Sequence, residues 1–172
     1  AVEPEEVEAV LEQPSLLVAA DGAAGVFSML PASTAERAWS RLICVVSDAD
    51  GGEGTYEAVE RSKPIFLHAH GDNVNDWTTL LEHASRIATP PPLVLTHQTK
   101  SPIEGMSNPG GFTDGDRAAC IVRSIGVPAE SISMLGTRTD VVGRWSGITD
   151  ENAKLEKLKW MSEVLNILEI GF

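Results

Sequence analysis

The chain has 172 residues, 42% of them apolar and 22% charged, with a formal net charge of −12 at pH 7. That length suits one domain with a real core, and that composition is neither disordered nor membrane-like. The acid excess argues against nucleic acid or an anionic membrane surface as partner, because both demand basic patches. The first residues, A-V-E-P-E-E-V-E, are acidic and lack the basic start of a signal peptide. The longest apolar runs, Leu16–Ala20 and Leu42–Val46, are strand-sized and far short of the roughly 18 residues that span a bilayer. Cys44 and Cys120 sit in apolar runs and read as buried, reduced thiols of a cytoplasmic protein.

In chain order, Pro4 followed by two glutamates opens a helix with Val7, Val10 and Leu11 on one face. Strands are predicted at Leu16–Ala20, Leu42–Ser47 and Ile65–Ala69. A helix over Trp77–Ile87 aligns Trp77, Leu80, Leu81, Ala84 and Ile87. A further strand covers Leu93–Thr96, after the stiff Pro90-Pro91-Pro92. The loop from His97 to Gly115 is long and glycine-rich, a length usually tied to function. A helix over Arg117–Ile125 stops at Gly126 with Pro128 beyond, and a fifth strand is expected at Ile132–Leu135. The last helix, Glu151–Leu168, repeats Leu155, Leu158, Met161, Leu165 and Leu168, with Thr149 or Asp150 as its cap.

The strand runs are nearly continuous in apolar residues, as in strands covered on both faces. Alternation of strand and helix predicts an α/β fold: an open, doubly wound, mostly parallel sheet of about five or six strands, Rossmann-like, with helices on both faces. A closed eight-fold barrel needs about 250 residues. The whole of 1–172 reads as one catalytic domain. Ligands of open parallel sheets bind beyond the carboxyl ends of the strands. Those positions carry Asp21-Gly22, then Asp48-Ala49-Asp50-Gly51, then His70-Gly71-Asp72-Asn73. After them come Thr113-Asp114-Gly115-Asp116-Arg117 and Arg138-Thr139-Asp140.

Asp48 and Asp50, two residues apart at a strand end, point to one side. Carboxylates that close repel by about 4 kcal/mol at 4 Å and an effective dielectric near 20. A hard divalent ion would offset that repulsion, and a solvated Asp-x-Asp-Gly turn is the plain alternative. Asp114 and Asp116 strengthen the metal reading, although aspartates at a helix start also serve as caps. His68 and His70 form an H-x-H pair. It reads either as a transition-metal site of a hydrolase or as one packed histidine with the other, His70, contacting phosphate or base. No P-loop, no G-x-G-x-x-G after the first strand and no G-x-S-x-G elbow occur.

The series V-A-A-D-G-A, S-D-A-D-G, H-A-H-G-D-N and G-G-F-T-D-G-D-R-A resembles the archaeal-type 6-hydroxymethyl-7,8-dihydropterin pyrophosphokinases. The catalytic domain of that family is similar to that of the thiamin pyrophosphokinases. Its members generally carry a longer N-terminal segment than this chain shows. The resemblance implies transfer of diphosphate from ATP to the pterin hydroxymethyl group, with release of AMP, in tetrahydromethanopterin or folate-type cofactor synthesis. It implies that Asp48, Asp50 and Asp72 hold Mg²⁺ on the triphosphate. Asp114 and Asp116 would complete the acidic site or orient the acceptor hydroxyl, and Asp21 and Gly22 would line the cleft. His70 and Asn73 join the nucleotide-binding set. Lys100, Arg117 and Arg138 are the cations expected on phosphate, Arg117 first, with Lys154 behind them. Phe112 and Trp145 are candidates to stack on a flat pterin. ATP and a small pterin are the expected partners, and a homodimer is left open. The rival readings are a thiamin pyrophosphokinase and a non-catalytic nucleotide- or sugar-nucleotide-binding module of a glycosylation protein.

Overall fold

The structure, a computed structural model, describes residues 1–141, 143–145 and 150–172, without the side chain of Glu151. Four strands, β1 (Leu17–Ala20), β2 (Leu42–Ser47), β3 (Ile65–Ala69) and β4 (Leu93–His97), form one parallel sheet in the order β1-β2-β3-β4. Helices α1 (Pro4–Leu11), α2 (Ala32–Arg41), α3 (Gly52–Glu60), α4 (Val74–Ala84), α5 (Asp114–Ser124) and α6 (Glu151–Ile167) surround it. A long 3-10 helix, Asp21–Met29, follows β1 directly.

The pleat sorts the strand side chains onto two faces. Leu17, Ala19 and Val45 pack with α1, α2 and the 3-10 helix, while Ile65, Leu67 and Leu95 pack under α3 and α4. The intervening Val18, Val46 and Phe66 meet Ala118 and Ile121 of α5. Helices therefore cover both faces, which explains the unbroken apolar runs of β2 and β3. Full burial of Val45, Val46, Ile65 and Leu67 contributes roughly 1.5–3 kcal/mol each. Right-handed crossovers that step in one direction leave α2, α3 and α4 on the same face. The chain changes face only after β4, where it crosses back to lay α5 over β1 and β2 and α6 against α5.

Two expectations are corrected. The sheet has four strands rather than five or six, and its order runs straight through with no reversal among the described residues. The expected strand Ile132–Leu135 is not a strand. Its apolar residues are used as packing: Ile132 and Met134 lie against the α5–α6 core, and Leu135 against the β1 side. The backbone beyond turns to the N-terminal segment, where the Gly136 amide donates to Glu6 Oε1 at 3.0 Å. Helices α2 and α3 were not foreseen, because each buries a narrow stripe (Ala38 and Trp39 in α2) between exposed polar residues.

Helices α3 and α4 start after Gly51 and Asn73 without a side-chain cap, whereas α5 and α6 are capped. A reciprocal box of Thr113 and Asp116 starts α5, three residues ahead of the predicted Arg117. Asp150 Oδ1 accepts from the Ala153 amide at 2.8 Å and caps α6; Thr149, the other candidate, lies outside the described residues. No described helix is long and apolar enough to cross a membrane.

Candidate functional site

The carboxyl ends of β1 and β2 and the start of α5 meet at one rim of the sheet. Asp21 leaves β1 in the left-handed region, φ 51°, a conformation that Asp tolerates better than most residues. Ala49, between Asp48 and Asp50, has φ 84°, where a Cβ is strained. These two backbone reversals turn three carboxylates toward one point. Asp21, Asp48 and Asp50 each present an oxygen within 4.8 Å of the others. Asp114, at the first position of α5, joins them electrostatically.

Glycines permit the approach. A Cβ on Gly51 would stand 2.3 Å from Asp21 Oδ1 and 2.4 Å from Thr55 Oγ1. A Cβ on Gly22 would stand 2.3 Å from the Gly51 carbonyl, and one on Gly54 would stand 2.4 Å from the Gly25 amide. The 3-10 helix and α3 thus touch main chain to main chain, and no larger residue fits at the seam. Beside Asp50 this seam opens into a cleft of about 290 Å³.

Asp48 and Asp114 have partners in His70 and Arg117, whereas Asp21 and Asp50 face no cation at contact distance among the described residues. Ser47 Oγ donates to Asp21 Oδ1 at 2.9 Å and accepts from the Ala49 amide at 2.9 Å. Burial, then the nearby Asp114, Asp50 and Asp48, push the Asp21 carboxyl up to about 8. Burial and the Asp48 carboxylate push Asp50 up to about 6. Asp114 rises to about 7, chiefly through burial and Asp48, although Arg117 opposes the shift. Burial also acts on Asp48, but hydrogen bonds from Asp50 and His70 outweigh it and hold its carboxyl below the ordinary value. Without a cation the cluster must share protons. Asp48 Oδ1 is buried and has no hydrogen-bond partner. An unsatisfied carboxylate oxygen amid all-oxygen neighbours fits a hard divalent cation such as Mg²⁺.

The remaining candidates divide. His70 lies between two acids, with Nε2 3.1 Å from Asp48 Oδ2 and Nδ1 bonded to Asp72. The imidazole therefore separates Asp72, whose side chain is 89% exposed, from the three clustered aspartates that could share an ion. Asn73 braces this turn, donating from Nδ2 to the carbonyls of Asp48 (2.8 Å) and His68 (2.7 Å). His68 is buried, with Nδ1 3.0 Å from Thr96 Oγ1. Burial and Arg117 depress it to about 4, which keeps it neutral. The two histidines serve different neighbours and form no metal group among the described residues.

Asp116 is fully buried and spends both oxygens at the start of α5, accepting from the amides of Phe112 and Thr113 and from the Thr113 hydroxyl at 2.6–2.7 Å. It holds the helix end that carries Asp114. Arg117, the first-choice phosphate cation, is 4% exposed and donates from Nη1 to Asp114 Oδ1 at 2.8 Å. It acts here as the internal counter-charge of the cluster. Arg138 is exposed and clasps Asp140, and Lys100 is exposed in the loop after β4. Lys154, at the start of α6, is the lysine whose charge reaches Asp50 and Asp114. Phe112 stacks on Trp160, centroids 5.6 Å apart. Sequence reasoning missed the Ser47 contact with Asp21 and the pairing of Arg117 with Asp114; Ser47 opens the S-D-A-D-G motif, but a strand-end serine carries no sign of which acid it meets.

No family model matches the chain, and no solved structure matches it. Among curated proteins it is similar to 6-hydroxymethyl-7,8-dihydropterin pyrophosphokinase of Pyrococcus furiosus, at 34% identity over 132 residues. The match covers 73% of this chain and 53% of that protein, so the chain spans about half the length of the curated relative it matches.

Proposed function

We propose that this site transfers diphosphate from MgATP to the hydroxymethyl group of 6-hydroxymethyl-7,8-dihydropterin. The products are AMP and the pterin diphosphate, in tetrahydromethanopterin or folate-type cofactor synthesis in the cytoplasm. The observation that carries the reading is the convergence of Asp21, Asp48 and Asp50 around the unpartnered Asp48 Oδ1 at the strand-end rim. The similarity to the Pyrococcus furiosus enzyme supplies the substrate class.

A triphosphate and a carboxylate cluster repel each other, so the acids can serve this chemistry only as cation ligands. When bound, Mg²⁺ supplies the charge neutralisation that lets the phosphates approach and stabilises charge on the transferred group. Asp21, Asp48 and Asp50 are the residues that would hold it. His70, fixed between Asp48 and Asp72, orients the Asp48 carboxylate and leaves Oδ1 free for the ion. Asp72 positions the imidazole rather than the metal. Asp114 takes the role of receiving the proton of the acceptor hydroxyl, since Asp116 is committed to the helix start. The amino end of α3, which has no side-chain cap, opens at the same rim and favours phosphate there. Lys154 is the cation placed to follow the phosphates from α6.

The test is direct. The purified chain is incubated with MgATP and the reduced hydroxymethylpterin, and the products are identified by mass. AMP and pterin diphosphate are expected together, with none formed from thiamin. Asp48→Asn should cut turnover by at least about a hundredfold. Product from thiamin instead, or full turnover in Asp48→Asn, would overturn the proposal.

A further inference from the structure

The cleft beside Asp50 lies outside the carboxylate cluster and has no role so far. Gly22, Gly25, Gly51 and Gly54 line it, and Trp145 closes one side with Arg144, whose guanidinium lies over the indole and donates to Glu3. The indole is pinned: its N–H donates to the Val2 carbonyl at 3.0 Å, and a Cβ on Gly25 would stand 2.8 Å from a ring carbon. At about 290 Å³ the cleft sits at the small end of ligand pockets, which run to roughly 300–1,000 Å³. That is room for a bicyclic ring.

Its polar groups are asymmetric. Asp50 at the inner end belongs to the cation cluster, while Glu53 and Glu57 line the α3 side. The Glu57 carboxylate is taken by Arg61, 3.0 Å away. Glu53 is exposed at the mouth, and among the described residues nothing donates to it; it stands in the first turn of α3, where the helix favours negative charge. A free carboxylate at the edge of a flat slot accepts two parallel N–H bonds. A pterin offers that pattern, a ring N–H beside an amino group. Adenine sets an acceptor nitrogen beside its amino group and does not.

We infer that this cleft is the acceptor subsite, and that the Glu53 carboxylate receives the ring N–H and amino group of the pterin while Asp50 marks the end where its hydroxymethyl group meets the phosphates. The inference rests on the function proposed above and names where its second substrate lies.

The experiment measures 6-hydroxymethylpterin binding by its fluorescence, and KM for the reduced pterin and for ATP, in wild type, Glu53→Gln and Glu53→Asp. Thermal melts confirm that each variant folds. Glu53→Gln turns an amide donor onto the ring N–H, so pterin affinity should drop at least tenfold or so, with KM for ATP within about twofold of wild type. Glu53→Asp should recover part of the loss. Unchanged pterin affinity in Glu53→Gln, or a selective rise in KM for ATP, overturns the subsite. Wild type that binds pterin through Glu53 yet forms no pterin diphosphate leaves the subsite standing and removes the diphosphokinase reading. Wild type that binds no pterin removes both.

Discussion

Asp21→Asn isolates the electrostatic strain of the metal-free cluster. Asn tolerates the left-handed φ of 51° as Asp does, and its Oδ1 can still accept from Ser47. The substitution therefore removes a titratable charge and little else. In the folded chain burial and three acidic neighbours lift Asp21 from 3.8 to about 8. The unfolded chain has released that proton at neutral pH, so the folded state binds more protons and stability falls as pH rises toward 8. Below pH 6.5 His68, depressed to about 4, adds a dependence of the opposite sign. The useful window is thus pH 6.5 to 8. There a single retained proton accounts for at most about 2 kcal/mol, at 1.36 kcal/mol per unit. Urea unfolding in chelator should show wild-type stability declining across the window. The Asp21→Asn decline should be shallower, with the residual slope coming mainly from Asp114. Magnesium at about 100 times its Kd should restore roughly 2.7 kcal/mol to wild type and less to the variant. Parallel pH profiles for the two proteins would refute the reasoning, because they would mean that Asp21 does not titrate in the cluster.

Two further substitutions separate structure from chemistry. Asp116→Ala leaves two amides and a hydroxyl unsatisfied at a buried helix start, and should cost about 2–3 kcal/mol in thermal unfolding while magnesium affinity, measured by titration calorimetry, stays near wild type. Arg117→Ala removes the partner of a buried carboxylate and should cost roughly 3 kcal/mol in the metal-free protein; if stability is unchanged and only ATP affinity drops, Arg117 binds phosphate rather than Asp114.

The strands were legible because each carries a short, continuous apolar run. A two-sided environment imposes that signature whatever the tertiary arrangement. Ile132–Leu135 carries the same signature and is no strand, since burial under α6 and against the N-terminal segment requires apolar residues equally. Local composition reports burial, and only ladder partners make a strand. The missed helices fail for the opposite reason. Ala32–Arg41 buries Ala38 and Trp39 and leaves most of its other residues in contact with water, so its pattern is too thin to register.

The site shows a similar division. Asp48, Asp50 and Asp21 could be named because the strand-end rule fixes where chemistry sits once strands are placed, and acids beside glycines stand out there. What the rule does not fix is distance between segments. Asp72 follows β3 by three residues, as Asp50 follows β2, yet His70 fills the space between Asp72 and Asp48. Asp114 and Asp116 are two residues apart, and one faces the cluster while the other faces its own helix start. That choice depends on the capping box: Asp116 is the third residue of α5, so it bonds back to Thr113, while Asp114 at the first position points past the helix end. A predicted helix beginning at Arg117 leaves both acids in the loop and indistinguishable. Moving the start to Asp114 assigns them different work. The helix boundary therefore decides which of the two acids is left to face the cluster, and capping chemistry sets that boundary.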